Sequence, residues 1–139
     1  MINSRNINPK KIKMIEPLYV PIYKCSVVFL IESTEQEWQQ FYEANMDIAD
    51  EEDNVNVLKQ LKDTNALGWC IQSGDDCFCY IKDKSQVGVI VHEIFHATNF
   101  ILLTKGCTID IDAEPWAYLL EYLINEFYKI LDRTATEEK

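Results

Sequence analysis

The chain of 139 residues is short of histidine, of positive charge and of long apolar runs, and each shortage excludes something. No stretch of eighteen consecutive apolar residues occurs, so no segment reads as a helical membrane span. The polar, basic N-terminus from Met1 to Lys13 has no apolar core behind it. That argues against a secretory signal and for a cytoplasmic protein. Thirteen Lys and Arg face 23 Asp and Glu, a formal net charge of −10. Nucleic acid is therefore not an expected partner, because phosphate binding needs a basic surface. Residues 32–53 hold nine acids and no Lys or Arg, whereas the first 24 residues carry five bases and one acid. The acidic stretch reads as a solvated helix and loop, with a surface for a basic partner as the alternative. The five cysteines (Cys25, Cys70, Cys77, Cys79, Cys107) include no C-x-x-C pair and read as free thiols of a reducing compartment. Cys77 and Cys79, two apart on an expected strand, face the same side.

The chain has only two histidines, and they stand four residues apart: His92-Glu93-Ile94-Phe95-His96. On an α-helix residues i and i+4 share a face, so both imidazoles can reach one metal ion. Zn²⁺ takes neutral imidazole nitrogen readily, and a glutamate beside the first ligand can act as general base toward water. This is the H-E-x-x-H pattern of zinc metallopeptidases. Two randomly placed histidines and an intervening glutamate would produce it on the order of once in a thousand chains of this composition.

The remaining periodicities sketch an α+β protein, a small antiparallel or mixed sheet packed on helices. Residues 1–16 read as a poorly ordered lead-in and 134–139 as a frayed tail, leaving one domain over 17–133. Leu18 to Ile31 reads as one strand, bent or delayed by Pro21. Thr34 and Glu37 form a capping box for a helix over 35–45 with Trp38, Phe41 and Tyr42 on one stripe. An acidic loop over 47–53 and a short helix over 55–63 follow. Strands over 66–72 and 77–82 are joined by a four-residue loop, Ser73 to Asp76. The motif helix is expected over 85–105, stopped at Gly106. A last helix, opened by Asp110 or Asp112 with Pro115 in its first turn, extends to about Arg133.

A catalytic zinc needs a third protein ligand, and no third histidine exists. Leu102 stands where a metzincin places its third histidine and Asn99 where it places glycine, which excludes that pattern. The candidates are Asp110, Asp112, Glu114, Glu121 and Cys107. Glu114 is favoured, 18 residues past His96 and in the first turn of a helix expected to pack on the motif helix. Tyr118 and Tyr122 are candidate donors to a developing oxyanion, though ordinary amphipathic packing also explains them.

The hairpin, the segment from His92 to Phe100, and then Glu114-Pro115-Trp116-Ala117-Tyr118-Leu119-Leu120 resemble small gluzincin-type zinc peptidase domains. The group most alike is that of short, uncharacterised metallopeptidases of phages and bacterial mobile elements. The likeness covers residues 66–131 and leaves the first 60 unmatched. It implies a zincin-like fold with the motif helix followed by a ligand-bearing C-terminal helix. It also implies Zn²⁺ held by His92, His96 and Glu114, Glu93 as general base, and a protein or peptide substrate. Gluzincins often carry an Asp four residues after the ligand Glu to orient a zinc histidine; Tyr118 stands there in this chain. The alternative to a peptidase is a zinc-stabilised binding or effector protein with the same fold and no hydrolytic activity.

Overall fold

The computed structural model describes residues 15–45, 59, 61 and 66–137. The expected lead-in up to residue 14, the acidic loop 47–53 and most of the helix over 55–63 lie outside the described residues; Lys59 and Leu61 are helical.

Two hairpins build the sheet. Strands β1 (Ile15–Val20) and β2 (Cys25–Ile31) pair antiparallel, with Val20 opposite Cys25. The single strand expected over residues 18–31 is thus two strands, and β1 begins at Ile15, within the expected lead-in. Pro21 is the reason. It has no N–H for a ladder, and its fixed φ suits the second position of a turn from Val20 to Tyr23. In that turn the Tyr23 N–H donates to Val20 O (3.3 Å), and Lys24 follows in the left-handed region at φ 52°. Strands β3 (Gly68–Ser73) and β4 (Asp76–Ile81) form the second hairpin. Their connection is a two-residue turn, tighter than the four-residue loop expected, because Gly74 takes φ 61° at its first central position.

Strands β2 and β4 pair in parallel, so the spatial order is β1-β2-β4-β3 and β1 and β3 are the edges. The two interior strands are buried on both faces, as a Val-, Ile- and Phe-rich run allows. Val27, Phe29, Ile31, Cys77, Cys79 and Ile81 point to one face; Val28, Leu30, Phe78 and Tyr80 point to the other. Cys77 and Cys79 do share a side, as their spacing requires.

Helix α1 (Glu35–Asn45) covers the second face through Trp38 and Phe41, which meet Trp69, Phe78 and Tyr80. The capping box forms: the Thr34 N–H donates to Glu37 Oε1 (2.9 Å) and the Glu37 N–H to Thr34 Oγ1 (3.2 Å). Helices α2 (Val87–Thr104) and α3 (Ala113–Glu137) cover the first face. The result is an α+β fold of three layers around a small mixed sheet. Helix α2 is long and apolar enough to span a membrane by length and composition, with a mean hydropathy of 1.4. Here its apolar stripe of Ile90, Ile94, Ala97, Ile101 and Leu102 is buried in the protein core. It ends as expected at Gly106, φ 77°, where the Cys107 N–H donates to Leu102 O and the Gly106 N–H to Leu103 O.

Candidate metal centre

Helix α2 is apolar because one face must fill the core, and that choice decides where the motif points. The buried stripe centres on Ile90, Ile94, Ala97 and Ile101. At 100° per residue, His92 and His96 fall on the opposite side, His92 exposed and His96 half-buried, while Glu93 turns inward toward the sheet and is only 4% exposed. The two histidine Nε2 atoms converge to 3.2 Å. Two tetrahedral zinc ligands at the usual Zn–N distance lie about 3.3–3.4 Å apart, so the pair already has the spacing the ion needs. With no ion bound, the same spacing lets one imidazole donate to the other. A carboxylate oxygen of Glu93 completes the group: the three ligand atoms all lie within 4.8 Å of one another. Among the described residues this is the one convergent group of three metal-binding side chains, and it could hold a metal ion.

The electrostatics agree with that chemistry. Burial, then the neighbouring His92, pushes the His96 pKa down, favouring the neutral ring that a metal requires. Burial pushes the Glu93 carboxyl up, and His92 draws it part of the way back. A carboxylate raised in this way is a better proton acceptor near neutral pH than an exposed one.

The seat of Glu93 is built by an edge strand. A Cβ at Gly68 would stand 2.8 Å from the Tyr80 carbonyl oxygen, 3.0 Å from Val89 Cγ1 and 3.1 Å from Glu93 Cγ. Gly68 therefore lets α2 lie against β3 closely enough for Glu93 to be covered. Beneath the same turn, the Cys79 thiol lies 3.8 Å from the Glu93 backbone oxygen. Gly68 did not stand out in the sequence, and Cys79 did so only as one of two cysteines spaced to share a strand face.

The C-terminal helix packs through one face. Its inward stripe is Trp116, Leu119, Leu123, Phe127 and Ile130, and the Trp116 ring packs on Phe95 at 4.6 Å between centroids. Glu114 precedes Trp116 by two residues, about 200° around the helix, and is exposed. It is not in the convergent group, and neither are Glu121, Cys107, Asp110 or Asp112. The Asp112 carboxylate instead accepts from the Thr108 N–H (3.0 Å), folding the connection that precedes α3. Tyr118 and Tyr122 line an apolar pocket of about 660 Å³ with Pro21, Ile22 and Tyr23 of the first hairpin turn, and no residue of the histidine motif lines it. The structure brings together His92, Glu93 and His96; Glu114 is not in that group, and Tyr118 lines the pocket beside the first hairpin turn.

No family model, curated protein or solved structure matches this chain.

Proposed function

We propose that this protein is a zinc-dependent metallopeptidase in which His92 and His96 hold the ion and Glu93 is the general base. The observation that carries the reading is the 3.2 Å approach of two imidazole nitrogens with a buried carboxylate beside them. A purely structural helix gains little from that combination, since the exposed His92 contributes little to packing and a buried glutamate costs free energy. When bound, the zinc ion would activate water and polarise the scissile carbonyl. The histidine rings, in their neutral form, supply the nitrogens. Glu93 accepts a proton from the attacking water and returns it to the leaving amine. A peptide substrate fits as an added strand on β3, because β3 is the sheet edge that touches Glu93 through Gly68. The cytoplasmic location expected from the sequence belongs to this reading.

Glu93→Gln tests it. The amide keeps the size and a hydrogen-bonding tip but cannot take the proton. Zinc content by elemental analysis should equal wild type, while cleavage of a broad peptide library drops by about 10²–10⁴. His96→Ala, the control, should lose the zinc. A glutamine variant that cleaves at the wild-type rate would remove Glu93 from the chemistry.

The position of Glu114 favours a second reading, a zinc-stabilised binding or effector protein, because a hydrolase site ordinarily holds its ion with three protein ligands. Glu114→Ala distinguishes them. Retained zinc with no cleavage by the loaded wild type supports the binder. A tenfold or greater loss of zinc affinity assigns the third ligand to the first turn of α3 and supports the peptidase.

A further inference from the structure

We propose that Cys70 and Cys79 are a redox pair that closes a reversible cross-strand disulfide beneath the metal-motif helix. The two residues are directly opposite each other in the antiparallel β3–β4 ladder. Their pairing type follows from the hydrogen bonds. The Lys82 N–H donates to Leu67 O (2.9 Å), which makes residues 67 and 82 a hydrogen-bonded pair. Pair types alternate along an antiparallel ladder, so three steps on, Cys70 and Cys79 occupy a non-hydrogen-bonded pair. There the Cα atoms stand about 4.5 Å apart and the side chains are at their closest, inside the range a disulfide spans. The side chains take that opportunity: the Cys79 thiol lies 3.0 Å from Cys70 Sγ. Cys77, two residues from Cys79 on the same face, also reaches the Cys70 thiol but is opposite Gln72, so of the two only Cys79 is directly across the ladder from Cys70. Cys70 is half-buried on an edge strand, whereas Cys79 is fully covered. An oxidant therefore meets Cys70 first.

The oxidant class is a peroxide. Cys70, as thiolate, attacks one peroxide oxygen; an S–O bond forms, the O–O bond breaks, and the departing hydroxide takes a proton to become water. Cys79, as thiolate, then attacks the Cys70 sulfur; the S–S bond forms, the S–O bond breaks, and a second water leaves. Two thiols have lost two protons and two electrons, and one hydrogen peroxide has become two waters. A small dithiol reverses the change by thiol–disulfide exchange. The contact with Cys77 lowers the Cys70 thiol, but the contact with Cys79 and then burial raise it further, and burial raises Cys79; both stand above the usual range, which makes closure slow but does not alter its geometry. Closure removes the S–H group that lies 3.8 Å from the Glu93 carbonyl, so the redox state reaches the turn of α2 that carries the motif. The pair stands independently of whether the site above it hydrolyses peptides.

The test uses the full chain bearing Cys107→Ser, which removes a partly exposed thiol outside the pair. Hydrogen peroxide is added, then the chain is unfolded, alkylated and cleaved between the strands at Asp75 or Asp76. The expected result is loss of two alkylatable thiols, a Cys70–Cys79 linkage by tandem mass spectrometry, and recovery of both with dithiothreitol. Cys79→Ser should stop Cys70 at the sulfenic acid, trapped by dimedone. Should that variant not fold, Cys77→Ser serves instead and must still close the linkage. Retention of all four thiols, oxidation of Cys70 to the sulfinic acid without linkage, or a Cys70–Cys77 bond would each overturn the proposal.

Discussion

Single residues do unequal work in this site, and the smallest is among the most constrained. Gly68 is tight because three atoms crowd the space a Cβ would fill, one of them a backbone carbonyl that cannot swing aside. Gly68→Ala should therefore destabilise the fold by about 1–3 kcal/mol, as overpacking does, and displace Glu93 without removing either histidine. The check is a urea midpoint with zinc content measured alongside: a lowered midpoint at unchanged zinc is expected. A midpoint equal to wild type would show that β3 and α2 are not held as closely as described. At this scale the sequence was informative where chemistry is local. His92, Glu93 and His96 sit in one short segment of one helix, and helical geometry alone brings them together. Glu114 and Tyr118 depended on the rotation of a different helix about its own axis. The sequence between His96 and Glu114 does not determine that rotation. Packing does, and Trp116 takes the inward position against Phe95.

At the scale of elements, the signals that worked were those with a mechanism confined to a few neighbouring residues. The Thr34–Glu37 capping box and the glycine stop at Gly106 both formed as read. The stop has a measurable weight. Gly106 holds φ 77°, where a side chain would crowd the following carbonyl. Gly106→Ala should cost about 1–2 kcal/mol with the helix otherwise intact, measured by thermal unfolding followed by circular dichroism. A stabilised variant would contradict the cap. The first hairpin was missed for a reason of the same kind. Residues on both sides of Pro21 favour strand, and only the turn hydrogen bonds formed from Val20 onward separate one bent strand from two paired ones.

For the whole molecule, the core on the first sheet face is completed by α2 and α3. Phe127, fully buried on α3, meets Phe29 of β2 edge-on at 4.9 Å between centroids, joining the last helix to the centre of the sheet. Phe127→Ala should therefore cost about 3–5 kcal/mol, a large part of the stability of a domain this size, by equilibrium denaturation. A loss under 1 kcal/mol would mean that α3 does not pack on the sheet as described. The α+β class was legible from the sequence. The strand order was not, because the parallel contact of β2 with β4 joins segments that share no local pattern.

That parallel contact also dictates an order of events as the chain folds. Val20 and Cys25 pair across four intervening residues, Ser73 and Asp76 across two, whereas Val27 pairs with Cys77 from fifty positions away. Isolated hairpins close in roughly 1–10 μs. Joining the two must close a far longer loop, at an entropic cost about 2 kcal/mol greater. Until the two hairpins join, each leaves one apolar strand edge uncovered. An uncovered edge pairs as readily with a neighbouring molecule as with its own chain. Refolding yield is consequently a function of protein concentration, and dilution will recover native protein that a stability measurement alone would not show to be at risk.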